Sequence, residues 1–228
     1  MGIYVGNKRY APYIGDNRRR YMGGGGSSYD ENSYIQDGLV FQLDGINKGS
    51  NQGYWTDLKG GVTFTIPASG VDVLDKGFEY TSKTYMPLAS GTIPNDSQYT
   101  VEVCFYKKNG DTLAGIFNAK SGYASGTIMI MINNNANVFL QRQVTIKEKA
   151  LVDTLSRYSY NLNVCCVNGD EGTFAAADYW TTTQVGVGAV YGGRGIIGIV
   201  HSIRIYNRQL TLAEMQFNQN IDLKRFGT

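Results

Sequence analysis

The chain has 228 residues, 42% of them hydrophobic and 18% charged, with 29 Gly, 17 Tyr and 4 Pro. That length holds one large β domain or two ordinary ones, and the composition suits a soluble protein with many turns and pleated, half-buried surfaces. The net charge of +2 hides an asymmetry: residues 1–26 carry Lys8, Arg9, Arg18, Arg19 and Arg20 against Asp16 alone, so the remainder is net acidic.

Residues 1–22 contain a short repeat, in which Tyr4-Val5-Gly6-Asn7-Lys8-Arg9 returns as Tyr13-Ile14-Gly15-Asp16-Asn17-Arg18. Each copy sets a Gly-Asn or Gly-Asp turn between β-forming residues. The pattern predicts a meander of two or three short strands. Such a small sheet buries too little surface to offset its chain entropy, so it is expected to order against a partner or its own symmetry mates. Its basic charge suits nucleic acid, an acidic lipid surface, an acidic protein socket or a solubilising tail, and charge does not choose among them. The opening MGIYVGNKRY shows no secretory pattern, and no apolar run approaches the roughly 18 residues of a membrane helix. Gly6 stands where a myristoylation signal has Ser or Thr.

Residues 23–35 read as a flexible linker: Gly23 to Gly26, then Ser27 and Ser28, then the polar stretch YDENSYI, which suits the linker or the first rim of the next domain. From Gln36 the pattern is period two. Leu39, Phe41 and Leu43 are expected on one face. Tyr99, Val101, Val103 and Phe105 alternate with Thr100, Glu102, Cys104 and Tyr106, and Ile197, Ile199, Ile203 and Ile205 are expected to share a face. Further strands are predicted over 61–66, 77–80, 114–118, 126–132, 136–144, 158–167 and 184–190, between turns such as Asn109-Gly110 and Asn168-Gly169. Many strands without intervening helices predict a sandwich. Thr211-Leu212-Ala213-Glu214 is a capping box and predicts one helix of about two turns that ends before Asp222, with Leu212 and Met215 facing the sandwich.

Cys104, Cys165 and Cys166 are an odd set, and the adjacent pair would point to opposite faces of a strand. No disulfide framework and no zinc site are expected.

Three segments carry a resemblance that brackets residues 36–228. Gly38-Leu39-Val40-Phe41-Gln42-Leu43-Asp44-Gly45 with Tyr54-Trp55-Thr56-Asp57-Leu58-Lys59-Gly60 opens it, Gln98-Tyr99-Thr100-Val101-Glu102-Val103 lies in the middle, and Gly198 to Arg208 with Leu210, Thr211 and Glu214 closes it. This domain resembles the laminin G-like branch of the concanavalin A-like lectin/glucanase superfamily. The resemblance implies an all-β, jelly-roll sandwich of two antiparallel sheets with one short C-terminal helix, preceded by a small β-rich arm. It also implies structural work for the motifs. Arg204 and Tyr206 lie opposite the buried isoleucines, Arg208 bonds helix or loop carbonyls, and Trp55 with Asp57 pins the opening loop.

Retaining glucanases of that superfamily carry acids at alternate positions of one strand. Asp170-Glu171 are adjacent and Glu102 stands alone in its strand, so the domain is expected to be non-catalytic. No cofactor is expected. Asp44, Asn47, Asp57, Asp72 and Asp75 offer oxygens to calcium, but their spacing matches no dedicated loop, and turn residues bonding their own backbone is the competing reading. Sugar stacking requires exposed rings with polar neighbours. Tyr179, Trp180, Tyr191 and Arg194 are the candidates for carbohydrate binding.

The layout of short Tyr-Val-Gly repeat, glycine linker and laminin G-like domain resembles accessory fibre or decoration proteins of tailed bacteriophages. That resemblance implies a virion protein anchored to other virion proteins through Tyr4, Arg9, Tyr13, Arg18, Arg19 and Arg20, with a homotrimeric assembly and a sandwich that meets host glycans. It implies neither a nucleic-acid nor a membrane partner. A secreted carbohydrate-binding module and a degenerate glycoside hydrolase are the alternatives.

Overall fold

The computed structural model describes residues 3–5, 8–10, 33–48, 53–94, 99–108, 114–119, 128–132, 137–140, 144–149, 153–176, 184–188 and 195–227. The chain divides into two compact units, Met1–Asp30 and Glu31–Thr228. In the first, β1 (Ile3–Val5) pairs antiparallel with β2 (Lys8–Tyr10), setting Tyr4 opposite Arg9.

The described residues of the second unit form a sandwich of two antiparallel sheets with one helix at its C-terminal end. Its strands are, in chain order, β3 (Leu39–Asp44), β4 (Tyr54–Thr56), β5 (Thr63–Thr65), β6 (Val71–Leu74), β7 (Gly77–Tyr80), β8 (Met86–Ser90), β9 (Thr100–Lys107) and β10 (Ala114–Asn118). They continue with β11 (Met129–Ile132), β12 (Asn137–Leu140), β13 (Val144–Lys149), β14 (Leu155–Tyr160), β15 (Cys165–Val167), β16 (Asp170–Glu171), β17 (Phe174–Ala176), β18 (Gly186–Val187) and β19 (Gly198–Tyr206). One sheet of nine strands runs β17-β13-β12-β11-β10-β18-β8-β5-β4. The other, of eight, runs β16-β15-β14-β9-β19-β7-β6, with β3 also paired to β19. The long strand β19 is the axis of this sheet. One edge pairs throughout with β9, while the other pairs with β7 over Gly198–Val200 and with β3 over Ser202–Tyr206.

The core lies between the sheets. Phe41, Leu43, Val101, Val103, Phe105, Ile203 and Ile205 meet Trp55, Phe64, Met86, Phe117, Ile130, Ile132 and Val187. Each such side chain contributes about 1.5–3 kcal/mol on leaving water. Phe41 touches Phe64 and Phe117 with ring centroids 6.4 and 5.9 Å apart, so that one ring from the eight-stranded sheet bridges two from the other.

Strict alternation holds along β9 and fails in β19 and β3. Register shifts between Val200 and Ser202, leaving His201 as the extra residue of a β-bulge, and a bulge inverts the faces on either side of it. Val200 and Ile203 therefore both face the core, while Ile197 and Ile199 are only partly buried on the outer side. A second shift, between Ile205 and Tyr206 opposite Phe41 and Leu39, makes Val40 the extra residue. Leu39 accordingly joins the second apolar cluster with Tyr206, away from Phe41 and Leu43. The expectations of one shared face for the isoleucines and for Leu39, Phe41 and Leu43 are corrected in this way.

The segment 158–167 is likewise two strands. Asn161 Oδ1 accepts the N–H groups of Asn163 and Val164 at 2.8 and 3.0 Å, closing a side-chain turn that competes with the ladder. The helix α1 (Leu212–Phe226) has 15 residues, so it continues through Asp222 rather than stopping short of it. The Thr211–Glu214 capping box opens it as the sequence indicates. Its polar residues Asn218, Gln219 and Asp222 are buried rather than solvated. Met215 packs with Leu39, Tyr206 and Leu210, and Leu212 lies against that cluster. Tyr34 and Ile35 are buried in the same unit; Ile35 donates its N–H to Asn218 Oδ1 at 3.0 Å.

Candidate functional site

The outer face of the eight-stranded sheet has two parts, one beneath α1 and one beyond it. Beneath the helix, β9, β14 and β19 present Glu102, Ser159, Ser202 and Arg204, all buried. Arg204 donates through Nε to Glu102 Oε2 at 2.8 Å, and through Nη1 and Nη2 to Asp222 Oδ1 and Oδ2 at 2.8 and 2.6 Å. Glu102 also accepts from Ser159 Oγ at 3.0 Å and Asn218 Nδ2 at 2.9 Å. Tyr34 donates its hydroxyl to Asp222 at 2.8 Å, and its ring centroid lies 3.9 Å from Arg204 Cζ. Desolvation would lower the Arg204 pKa, but Asp222 and Glu102 outweigh it and hold the guanidinium charged, well above its ordinary range. These groups are turned on one another. Their chemistry is to fix α1 on the sheet.

The opening loop is built the same way. Trp55 is fully buried, with its ring centroid 4.4 Å from that of Phe78 and its indole N–H donated to the Asp44 carbonyl at 3.2 Å. Asp57 accepts the N–H groups of Gln42, Lys59 and Gly60. Asp44 accepts from Ile46 and Asn47 N–H groups and pairs with Arg225 at 2.7 Å. Two of the five residues that offered oxygens to calcium thus bond the backbone around them. Among the described residues no group of three or more His, Cys, Asp or Glu is placed to hold a metal ion.

Beyond the helix, cross-strand pairing lines up Asp72, Glu79, Ile199, Tyr106 and Leu155 on β6, β7, β19, β9 and β14. Ile199, Tyr106 and Leu155 are half-buried, leaving an aromatic ring between two aliphatic side chains at the surface. Lys108 reaches across β19 to an ion pair with Glu79. Tyr106 directs its hydroxyl toward Asp153 Oδ1, 3.5 Å away. Lys108 donates to the Glu79 carboxylate, and this hydrogen bond, with the fields of Glu79, Tyr106 and Asp153, outweighs desolvation and raises the Lys108 pKa. Sequence alternation placed Tyr106 on the polar face of β9, but the His201 bulge is what brings Ile199 beside it.

Tyr179, Trp180, Tyr191 and Arg194 lie outside the described residues, as do Tyr13, Arg18, Arg19 and Arg20. Tyr4 and Arg9 are opposite each other in the β1–β2 pair.

Two antiparallel sheets, a core between them and a helix on one outer face define a β-sandwich. No protein-family model matches the sequence, and no curated protein matches it. Solved structures with this fold include the Trypanosoma rangeli sialidase in complex with sialic acid, at 12% identity and a TM-score of 0.58, covering 84% of this chain and 34% of that one. The same enzyme in complex with the inhibitor DANA aligns at 13% identity and a TM-score of 0.58 over 86% of this chain. The botulinum neurotoxin serotype D binding domain aligns at 11% identity and 0.52, covering 84% of this chain and 52% of that one. The chain spans about a third of the sialidase chains it matches. The expectation of a domain that is not an enzyme is corrected by this likeness. Sialidases are enzymes, and the absence of alternate-position acids, a glucanase criterion, does not separate this chain from them.

Proposed function

We propose that the Glu31–Thr228 unit is a carbohydrate- or receptor-binding module of the laminin G-like kind, carried by the basic N-terminal arm. What supports the reading most is the sandwich fold held in common with a sialidase chain solved with sialic acid and with a neurotoxin binding domain. The motif at Gly198–Arg208, in which a strand runs at once into a capped helix, supports the finer class. In this reading the protein is a bacteriophage fibre or decoration component: Tyr4, Arg9, Tyr13, Arg18, Arg19 and Arg20 dock it into an acidic socket of the particle, and the sandwich meets host glycans. A homotrimer suits the arm, because weak contacts acting together raise the effective affinity of each.

Glycoside hydrolysis is the second reading, favoured by the sialidase likeness. One experiment separates the two. The full chain is applied to an array of neutral and sialylated glycans, and the eluted glycans are sized. Retention of intact glycans supports binding, shortened glycans support hydrolysis, and no retention on any spot sinks the binding reading. For the arm, the variant Arg18→Glu, Arg19→Glu, Arg20→Glu should fail to join particles that the parent joins; equal incorporation would overturn the anchoring role.

A further inference from the structure

We infer that the surface around Tyr106, on the face of the eight-stranded sheet that α1 leaves uncovered, is a docking platform for a neutral oligosaccharide. The inference rests on the carbohydrate-binding reading and names a site for it. Ile199, Tyr106 and Leu155 sit side by side on β19, β9 and β14. Neighbouring strands are about 4.8 Å apart, so the three side chains span about 10 Å, the width of one to two pyranose rings. A sugar has an apolar face of C–H groups and a rim of hydroxyls. It therefore needs an amphipathic ring below and hydrogen-bonding groups at the edge. Here Tyr106 is the ring, and its rim is the Lys108–Glu79 pair on one side and Asp153 on the other.

The charge of that rim decides the class of sugar. Among the described residues of this cluster, Asp72, Glu79 and Asp153 are three carboxylates against the one ammonium of Lys108. Carboxylates accept from hydroxyls, but they repel a sialic or uronic acid, and like charges brought together across an interface cost several kcal/mol. The site is thus selective for uncharged hexoses over the anionic sugar seen with the sialidase. Ile199, Tyr106 and Leu155 stand on strands, while Lys108 and Asp153 of the rim lie just past the end of β9 and just before the start of β14.

The full chain and the variants Tyr106→Val and Asp153→Asn should be titrated with a neutral oligosaccharide from the array and with its sialylated counterpart. Valine keeps a strand-forming residue at 106. Asparagine tolerates the positive φ of 54° at 153. Tyr106→Val should weaken binding of the neutral sugar about tenfold, as loss of one aromatic contact would, with an unchanged thermal midpoint. Asp153→Asn should narrow the preference for the neutral over the sialylated sugar. If Tyr106→Val lowers the midpoint, Asp153→Asn alone decides, and an unchanged preference overturns the inference. Glycan binding that both variants leave intact, or a parent that prefers the sialylated sugar, overturns the platform and leaves the carbohydrate-binding reading standing. Absence of binding to any glycan removes both.

Discussion

Arg204 on β19 and Asp222 on α1 form a two-armed ion pair, with nitrogen–oxygen distances of 2.8 and 2.6 Å, and both side chains are almost wholly buried. The same guanidinium holds Glu102. A buried charge left without its partner keeps the desolvation penalty and loses the compensation. Asp222→Ala should therefore cost about 3–5 kcal/mol. The measurement is urea unfolding, where the midpoint should fall with little change of slope. A loss below about 1 kcal/mol, typical of exposed pairs, would show that α1 is held by its apolar face alone.

The junction of β3 and β7 along one edge of β19 requires two glycines. Gly45 donates its N–H to the His201 carbonyl at 2.7 Å. A Cβ at Gly45 would stand 2.6 Å from the Gly77 Cα and 2.6 Å from that carbonyl oxygen. Both are backbone atoms and cannot rotate aside. Gly45→Ala should destabilise by about 1–3 kcal/mol, the range for overpacking, read as a lower thermal midpoint. Gly53→Asn is the control: its site meets nothing within 4 Å and has a φ of 89°, in the half of the map that asparagine tolerates better than most residues. Equal losses in the two variants would mean that crowding at Gly45 is not the cause.

These two sites show what was legible in the sequence. Alternation along Tyr99 to Phe105 identified the core face of β9, because that strand is regular and its pattern is local. The capping box gave the start of α1 for the same reason. The length of α1 was not legible: the pattern ends the helix before Asp222, whereas Asn218, Gln219 and Asp222 are held in it by non-local partners such as Ser159, Glu102 and Arg204. The bulges at His201 and Val40 were hidden because an extra residue leaves the composition unchanged while reversing every face beyond it. The Tyr106 surface was hidden by the same bulge, and by the fact that one sheet face is half covered by a helix whose landing place depends on the whole fold.

Glu214 joins the capping box to an ion pair. Its carboxylate accepts from Thr211 N–H at 2.8 Å and pairs with Arg208 at 2.7 Å. Partial burial on its own would raise its pKa, but the Arg208 hydrogen bond and the Thr211 N–H outweigh it and bring it below the ordinary value. A lowered native pKa means stability that is present above the unfolded value of about 4.3 and lost as pH falls through the native value. Glu214→Gln should remove that part of the acid sensitivity. Thr211→Ala should cost about 1 kcal/mol at neutral pH. Thermal midpoints of parent and Glu214→Gln between pH 6 and pH 3, compared pairwise, are the check; parallel curves would exclude the carboxylate as a contributor.

His201 should act in a separate, higher pH window. Its Nδ1 lies 2.6 Å from the Lys76 carbonyl oxygen, which requires a proton on that nitrogen, and its ring stacks on Phe226 with centroids 5.0 Å apart. Burial lowers its pKa; the hydrogen bond to Lys76 and the field of Asp222 oppose this less strongly. The native state thus favours the neutral ring. Below the unfolded value of about 6.5 the unfolded chain takes up a proton that the native chain resists, so stability declines from there down to the lowered native pKa. His201→Asn retains a donor for the Lys76 carbonyl and cannot titrate. The parent should lose more stability than His201→Asn between pH 7.5 and pH 5.5, measured by urea midpoints at each pH, while Glu214→Gln follows the parent over that interval. A parent whose stability rises as pH falls through this window would mean that the Asp222 field, not burial, governs the ring.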